Sequence, residues 1–496
     1  MQNNKTSSLF AYFLPRFQDI FFISILLAVA FYGPELFNLD GDLGRHITIG
    51  KYIITNKIIP THDLFSYTMK GEELVPHEWL AQVLFSGAHS SMGLSGVVLL
   101  TSVLIALTFT LTYRELITRN AFRLIALFAS LWAAMTSSLH TLARPHIFTM
   151  LFLAIWSYQL EHVVEKKFFR IWIFPLLMLI WANTHGAFIA GFVVLGAYIT
   201  EWLWDLFHGQ GDKETGKSLF IISATSFAVT FINPSGYKLW TTSVGYIGNT
   251  YLVDHTIEYM SPNFHLAGTW PFLLTLAFFL FSLGQGAKLK LRESILIAGW
   301  TIMALYSARN IPLFAIVTTP MLGRLIQASA EKSSFLARQD RNISTIESQL
   351  RGILFPVISV LLLAFAFAHG VKLDTGKVGN QYDPAVFPVN AVNWLEENPQ
   401  KGNVFNSFTW GGYLLYREWP DQLVFIDGQT DFYGEKLTKE YEQIISTSNG
   451  WDDIFFNKYI ITWVIIPSNS QLGQTLKVDY DWRILYEDNT AVILRR

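Results

Sequence analysis

The chain has no cysteine and few charged residues, and both absences restrict its chemistry. Without a thiol it cannot form disulfides, bind zinc or an iron–sulfur cluster through cysteine, or use a cysteine nucleophile. Only 15% of the 496 residues are charged, against about a quarter in an average soluble domain. The formal net charge of −2 gives no basic field for nucleic acid. Carboxylate, imidazole and guanidinium groups therefore remain for any catalysis.

Apolar residues replace the missing charge, since 51% of the chain is hydrophobic and 15% is aromatic. This composition predicts a polytopic helical membrane protein, because a membrane helix needs about 20 mostly apolar residues. Eleven apolar segments are candidate transmembrane helices, some of them short for a complete span. They are 18–37, 93–113, 122–140, 147–163, 169–184, 187–207, 218–233, 269–284, 293–308, 311–326 and 352–369.

The distribution of lysine and arginine predicts the orientation. With a cytoplasmic N-terminus, the inner segments hold 15 of these residues, and the outer segments before the last helix hold 7, although the outer segments are longer in total. Positive charge accumulates on the cytoplasmic side. We therefore expect a multi-pass protein of the cell membrane, with a transmembrane domain over 1–370, a first outer loop at 38–92, and an extracytoplasmic domain at 385–496.

The tail has a different pattern from the membrane part. Helical spacing runs through Val389–Glu397 and stops at Asn398-Pro399. Short apolar runs read as strands, so we predict a small α/β domain. These runs are Val404–Phe408, Leu423–Asp427, Ile460–Ile466 and Ala491–Leu494.

Histidines and paired polar residues collect at the predicted outer face. Ten of the twelve histidines map there, together with several polar pairs at helix ends. Because lipid does not solvate such groups, this predicts one wet outer cavity; the alternative is simple capping of helix ends at the interface. The pairs are Arg144-Pro145-His146, Asn183-Thr184-His185, Asn233-Pro234, Asp254-His255 and Arg309-Asn310.

The first outer loop opens with the densest cluster of charged residues. Asp40 and Asp42 flank Gly41, so the two carboxylates can bind a divalent cation such as Mg²⁺ or Mn²⁺, or one can act as a general base. Arg45 and His46 follow and can hold a phosphate. The other interpretation of Asp40-Gly41-Asp42 is an ordinary turn.

Further candidates lie elsewhere on the predicted outer face. His77 and Glu78 either cap a short helix over 78–90 or bind a metal or an acceptor. Arg144, between apolar helices, needs an anion, which is a lipid headgroup or a substrate phosphate. Arg309 supports the same argument, and His146 and His185 join this phosphate-binding set.

In the tail, polar residues follow two predicted strands, at the edge where α/β sheets bind ligands. Trp410 and Tyr413 flank two glycines, and Asp427 begins the next polar stretch. These residues either bind an acceptor sugar or peptide, or form a tight strand–helix turn with core aromatics.

This arrangement resembles the GT-C superfamily of integral-membrane, lipid-phosphosugar-dependent glycosyltransferases, and in particular a branch of mostly uncharacterised microbial members. The resemblance covers most of the chain and is specific at a few patches. These are Asp40-Gly41-Asp42 to His46 with Gly50, Pro60 to Tyr67, His77-Glu78-Trp79-Leu80, Arg309 to Phe314, Trp410-Gly411-Gly412-Tyr413, and Asp427 to Asp431.

The resemblance implies a polyprenyl-phosphate or polyprenyl-diphosphate sugar in the outer cavity, and a base or metal-binding role for Asp40 and Asp42. The Trp410 to Tyr413 stretch is faintly similar to the acceptor-binding Trp-Trp-Asp-Tyr-Gly motif of oligosaccharyltransferases. It has glycine where that motif has aspartate, which argues against an asparagine-sequon acceptor.

We expect inverting transfer of one sugar from a polyprenyl phosphate to an unidentified extracytoplasmic acceptor. An outward-facing enzyme cannot use cytosolic nucleotide sugars, and a leaving phosphate needs arginine or a metal to offset its charge. The alternatives are oligosaccharyltransferase-like or ligase-like transfer of a lipid-linked glycan, a lipid transporter, and a non-catalytic envelope protein.

Overall fold

A computed structural model describes residues 10–166, 170–248, 250–255, 257–331, 333–352, 354–372 and 379–496. Residues 1–9, the first residue of the predicted span 169–184, residue 353 of the last predicted span, and part of the predicted junction between 370 and 385 lie outside the described residues.

Each of the eleven predicted spans forms a helix, so the predicted fold class is confirmed. Most of these helices are apolar on more than one face, and they bury some faces in protein and expose others. The helices are α2 (Phe17–Tyr32), α6 (Leu94–Thr118), α7 (Arg123–Ser137), α8 (His146–Val164), α9 (Ile173–Ala182), α10 (Ile189–Phe207), α11 (Lys213–Val229), α14 (Trp270–Gly284), α15 (Leu291–Tyr306), α16 (Ile311–Ala330) and α18 (Leu354–Ala368).

Short helices connect these elements. They are α1 (Phe10–Phe13), α3 (Glu35–Asn38), α4 (Leu43–Asn56), α5 (Trp79–Met92), α12 (Lys238–Gly248), α13 (Thr250–Asp254) and α17 (Ser334–Glu347), with single helical turns at Ser138–His140, Gly186–Phe188, Ile257–Tyr259, Ala267–Thr269 and Ala308–Asn310.

Five helical segments of the described chain are long and apolar enough to cross a membrane, and shorter apolar helices lie beside them. α6 packs on α2, α5, α7 and α8, and α16 packs on α6, α7, α8 and α15, so these two helices form the centre of the bundle. Peripheral helices expose large apolar side chains such as Phe220, Leu280, Ile302 and Leu361, which is the surface that a hydrocarbon layer solvates.

Several hydroxyl groups inside the bundle are satisfied within their own helices. Ser102 and Thr108 in α6, and Thr318 and Thr319 in α16, donate to the carbonyl four residues earlier. This pattern removes polar hydrogens from an apolar environment. Both central helices can therefore lie buried although they carry polar side chains.

Ion pairs close the bundle at the end remote from the first loop. Glu161 accepts hydrogen bonds from Arg292 at 2.9 Å and from Tyr198 at 3.0 Å, and lies 3.2 Å from Arg119. Arg292 also binds Glu201. Every charge in this group therefore has an opposite partner, as burial requires.

The tail forms a small α/β unit. Its strands are β1 (Asn403–Asn406), β2 (Ile461–Pro467), β3 (Arg483–Glu487) and β4 (Ala491–Arg495), in the sheet order β1-β2-β4-β3. β1 runs parallel to β2, and the other two pairings are antiparallel. The accompanying helices are α19 (Val389–Glu397), α20 (Gly411–Glu418), α21 (Thr430–Ile445), α22 (Trp451–Asp453) and α23 (Gln471–Asp479), with one turn at Phe408–Trp410 and a five-residue π-type turn at Ile454–Lys458.

One strand prediction is wrong: Leu423–Asp427 does not join this sheet. Its backbone instead pairs with the first loop, where Val424 donates to Phe65 and accepts from Tyr67. The side chain of Asn406 accepts a hydrogen bond from the amide of Phe425 and donates one to the carbonyl of Ile426. The apolar run is therefore buried between the sheet and the first loop. The alternation of residue types in the sequence does not show that its partner is the loop and not the sheet.

Glycines allow the first loop and the tail to touch through their backbones. A Cβ on Gly44 would lie 2.3 Å from the carbonyl oxygen of Gly412, and one on Gly412 would lie 2.2 Å from that of Gly41. A Cβ on Gly41 would lie 2.2 Å from the carbonyl oxygen of Thr409. α4 and α20 thus pack at a distance that only glycine permits, and the tail rests directly on the loop that carries Asp40 and Asp42.

Candidate active site

The Asp40-Gly41-Asp42 turn presents two carboxylates with different partners. Asp42 immediately precedes α4, and its backbone amide donates to Oδ1 of Asp40 at 3.2 Å. The Asp40 side chain is 2% exposed and that of Asp42 is 16% exposed. The turn therefore buries one carboxylate and leaves the other accessible.

Arg144 joins three carboxylates at this point. Its Nε and Nη2 donate to Asp40, its Nη2 lies 2.7 Å from Oδ2 of Asp42, and its Nη1 donates to Glu258. The neighbouring backbone is also fixed, because the amide of Ala143 donates to Leu36 just before the Asp40 turn. All three guanidinium nitrogens are thereby engaged.

The pKa values of Asp40 and Glu258 are shifted in opposite directions. Burial raises the pKa of Asp40 to about 6, although the charge of Arg144 opposes this shift. Burial also acts on Glu258, but there the positive charges of Arg144 and Arg309 outweigh it and bring the pKa to about 2. Glu258 is the firmly ionised partner of Arg144.

Glu78, in front of α5, lies at the centre of a second cluster. Its Oε1 is 3.8 Å from Nε2 of His77 and 3.9 Å from Nε2 of His185, and its Oε2 is 3.9 Å from Nδ1 of His46 and 3.5 Å from Arg45. His46 is buried, and its Nδ1 has no hydrogen-bond partner in the described part of the chain. Burial and neighbouring arginines lower the pKa of His46 well below its usual range, so this imidazole is neutral.

The tail supplies the side of the site next to Arg45. Arg45 donates to Gln429 at 2.7 Å and its Nε lies 3.7 Å from Asp427. Asp427 is buried and accepts from Tyr433 and from the amide of Gln429. Burial raises the pKa of Asp427 to about 6, with Arg45 opposing the shift. Arg45 therefore links the first loop to the tail, and its charge is compensated there.

Arg309 is the arginine of this region that no carboxylate of the described residues contacts within salt-bridge distance. Its Nη1 donates to the hydroxyl of Tyr259 at 2.7 Å, and its guanidinium lies over the ring of Tyr259, 5.1 Å from the centroid. Its Nη2 is 3.4 Å from Nε2 of His185, whose Nδ1 lies 2.9 Å from the hydroxyl of Thr149. Arg309 thus presents a positioned positive charge.

The structure therefore gathers most predicted site residues at one end of the bundle, in linked groups around Arg144, Glu78 and Arg45. His146 is adjacent, and its Nε2 pairs with the carbonyl of His140 at 2.7 Å. The residues gathered are Asp40, Asp42, Arg45, His46, His77, Glu78, Arg144, His185, Arg309 and Asp427.

The proposed stacking role of Trp410 and Tyr413 finds no support in the packing. Trp410 is buried and its indole donates to the carbonyl of Val386. Tyr413 is 1% exposed, packs edge-on against Tyr382, and accepts a hydrogen bond from Arg417. Both rings belong to the core beneath α20, which agrees with the alternative interpretation of this stretch as a tight strand–helix turn with core aromatics.

Sequence reasoning missed several residues of the site. Glu258 and Tyr259 lie in a loop between helices, tied to the start of α16 by the bond from the amide of Ala308 to Met260. Gln429 and Asp431 lie in the polar stretch after Asp427, which the sequence indicated as a whole without giving these two residues a role; Oδ2 of Asp431 is 3.8 Å from His77. The one signal for Glu258 was an acidic residue in a predicted outer segment, which is too common to single it out.

The residues present do not fit a divalent cation as they are arranged. Asp40 and Asp42, the predicted ligands, both face the guanidinium of Arg144. Across the described ranges, no group of three or more His, Asp or Glu side chains is placed to hold a metal ion. A cation at Asp40 and Asp42 would have to displace Arg144.

Comparison with known proteins gives no match to a family model and none to a curated sequence. Solved structures do match. The apo oligosaccharyltransferase of Archaeoglobus fulgidus superposes with a TM-score of 0.58 over 90% of this chain and 69% of that one, at 12% identity. The AglB oligosaccharyltransferase of the same organism, in complex with an inhibitory peptide and a dolichol-phosphate, gives 0.58 over 91% and 70%, at 12% identity.

Apo ArnT from Cupriavidus metallidurans superposes with a TM-score of 0.51 over 96% of this chain and 97% of that one, at 12% identity. The chain has the GT-C fold. This fold, together with the five long apolar helical segments of the described chain, supports a membrane-embedded protein. At 12% identity the GT-C likeness extends to the fold and leaves the reaction to be argued from the side chains.

Proposed function

We propose that this GT-C protein transfers a sugar from a polyprenyl-phosphate donor to an acceptor on the outer face of the membrane. One observation carries the proposal. The partly exposed carboxylate of Asp42 and the guanidinium of Arg309, which has no carboxylate partner among the described residues, are both linked to the loop that contains Glu258 and Tyr259. Asp42 gives one oxygen to Arg144, and Arg144 also holds Glu258. The next residue, Tyr259, positions Arg309.

Asp42 is the general base in this proposal. Its Oδ2 faces Arg144, whereas Asp40 gives both of its oxygens to the same guanidinium. The Asp42 carboxylate takes the proton of the acceptor hydroxyl while the acceptor oxygen bonds to the anomeric carbon. The bond from that carbon to the phosphate oxygen breaks on the opposite side, and the configuration inverts. Asp40 is a positioning residue.

Arg309 binds the leaving phosphate. The departing oxygen gains negative charge, and a guanidinium fixed in advance by Tyr259 offsets that charge without reorganising. Arg144 and Arg45, the other arginines predicted for this role, already contact carboxylates. A lipid-linked donor is supported by the GT-C protein AglB, which has been solved with a dolichol-phosphate.

The acceptor enters on the side of His77 and Glu78 in this proposal. A narrow cavity, lined by Pro76, His77, Glu78, Gln82 and Gln429, opens between the first loop and the tail. Its volume of about 10 Å³ is that of a single water molecule, so it can admit one hydroxyl group of an acceptor.

The test is donor turnover in proteoliposomes. Purified protein is incubated with a panel of polyprenyl-phosphate hexoses, a polyprenyl-diphosphate oligosaccharide and an envelope extract as the source of acceptor, and the released lipid is measured by mass spectrometry. The wild-type protein should release polyprenyl phosphate from a monosaccharide donor. Asp42→Asn should lower that rate by about 10² or more, whereas Asp421→Asn, on the exposed surface of the tail, should not.

Unchanged turnover by Asp42→Asn would remove the base assignment. Release from the diphosphate donor alone would favour the ligase-like or oligosaccharyltransferase-like alternative. Release from no donor would contradict the transferase proposal.

A further inference from the structure

Three carboxylates, two from the Asp40-Gly41-Asp42 turn and one from a distant loop, converge on the half-buried guanidinium of Arg144. Asp40 follows α3, Asp42 precedes α4, and Glu258 lies in the turn Ile257–Tyr259. Their common partner is the guanidinium of Arg144. Carboxylate oxygens are the donors that hard divalent cations prefer, but among the described residues these side chains, with Arg144 between them, are not placed to hold a metal ion.

Arg144 meets the electrostatic requirement of these carboxylates in place of such an ion. A guanidinium keeps its charge at all physiological pH values, and its planar fork binds several carboxylate oxygens at once. Nη2 of Arg144 reaches Asp42 at 2.7 Å and Asp40 at 2.5 Å, while Nε and Nη1 bind Asp40 and Glu258. The guanidinium therefore occupies the position between these carboxylates that a cation would take.

The backbone holds the guanidinium in this position. Arg144 lies between Ala143, whose amide is bonded to Leu36, and Pro145, which directly precedes α8. The segment Leu36 to Asp40 thus carries both a backbone anchor of Arg144 and one of its carboxylate partners. Withdrawal of Arg144 would require movement of the chain at the start of α8.

We infer that Arg144 is a built-in replacement for a divalent cation, and that the Asp40, Asp42 and Glu258 carboxylates bind a metal only when this guanidinium is removed. This inference rests on the proposed function only in that it assigns metal-independent chemistry to the same site. The prediction that a metal site is latent concerns binding and stands apart from turnover.

The test is Mn²⁺ binding to the full-length protein in detergent, measured by electron paramagnetic resonance of the free ion. The wild-type protein should show no saturable site that depends on Asp42. Arg144→Ala should gain one site with at least tenfold higher affinity, and Arg144→Ala combined with Glu258→Gln should lose most of that gain. Arg144→Lys, which keeps the positive charge, should bind no better than the wild type.

Two results would overturn the inference. One is a wild-type Mn²⁺ site that Asp42→Asn abolishes; the other is a folded Arg144→Ala protein, monodisperse in gel filtration, that binds Mn²⁺ no better than wild type. If Arg144→Ala fails to fold, Arg144→Gln replaces it, since the amide keeps part of the volume without the charge. Because the readout is metal binding, a failure of the proposed transferase activity would leave these results interpretable.

Discussion

Asp40 and Asp42 are two residues apart and have different environments. Asp40 is buried and binds Arg144 with both oxygens, while Asp42 is accessible and binds it with one. The sequence indicates a pair of carboxylates and leaves their roles open. The two carboxylates differ because Arg144, which is distant from them along the chain and lies just before α8, binds both oxygens of Asp40 but one oxygen of Asp42.

The second buried carboxylate, Asp427, gives a prediction about pH. Burial raises its pKa to about 6 in the folded protein, against about 4 in an unfolded chain. The fold therefore favours the neutral form, and the stability that Asp427 contributes is present below about pH 4 and is lost as the pH rises through about 6.

Asp427→Asn should accordingly remove part of this pH dependence. The wild type should lose stability relative to the variant by about 1–3 kcal/mol between pH 4.5 and pH 7.5. Thermal unfolding in detergent at both pH values measures this difference, with Asp421→Asn as the surface control. A wild-type protein that instead gains stability relative to Asp427→Asn over this range would show that Asp427 is held ionised.

The sequence predicted most of the residues that cluster at this end of the bundle, but not the contacts between them. Histidines, arginines and carboxylates at the predicted outer ends do come together around Glu78 and Arg144. Glu258 was missed because the loop that carries it has no periodic pattern. Trp410 and Tyr413 resemble ligand-binding aromatics in sequence, but their neighbours Val386 and Tyr382 bury them.

At the scale of elements, the contact between α4 and α20 positions the tail over the site. The contact depends on missing side chains: a Cβ on Gly44 would come within 2.3 Å of the carbonyl oxygen of Gly412 and 3.0 Å of Cβ of Tyr416. The backbone atoms cannot move aside without separating the two helices.

Gly44→Ala should therefore destabilise the protein by about 1–3 kcal/mol. Gly87→Ala is the matched control, because Gly87 lies in α5, is exposed, and has open space within 4 Å of the position that a Cβ would take; there alanine should be neutral or mildly stabilising through helix propensity. Thermal unfolding of the two variants in detergent measures the difference. Equal stability of both variants would show that the α4–α20 packing is looser than described.

Long apolar helices were predicted well from the sequence. Short segments whose structure depends on hydrogen bonds to distant residues were not. All eleven apolar segments are helices, since a long apolar run in a membrane protein has few alternatives. Leu423–Asp427 has strand composition, yet Phe65 and Asn406 take its backbone bonds. β3 was not predicted, because all five of its residues are exposed or half-buried and they form no apolar run.

At the scale of the whole molecule, the absence of cysteine allows a direct test of orientation. The lysine and arginine distribution predicts that α17 lies in the cytoplasm and that the tail lies outside. Asn449→Cys in the tail and Ser348→Cys just after α17 are each at exposed positions, and each introduces a unique thiol.

In intact cells, a membrane-impermeant maleimide should label Asn449→Cys and leave Ser348→Cys unlabelled. Permeabilised cells should label both, and the cysteine-free wild type provides the background. Labelling of Ser348→Cys but not of Asn449→Cys in intact cells would show that the topology is the opposite of the predicted one. The argument for a lipid-linked donor, which depends on an outward-facing site, would then fail.

The central claim is that the end of the bundle around Asp42 and Arg309 receives the phosphate of a polyprenyl lipid. An experimental structure of the protein with undecaprenyl phosphate tests it most directly. We predict density for the phosphate within hydrogen-bonding distance of Arg309, with the isoprenoid chain leaving between helices of the bundle. Headgroup density only on the lipid-facing surface, away from Arg309 and Asp42, would contradict the claim.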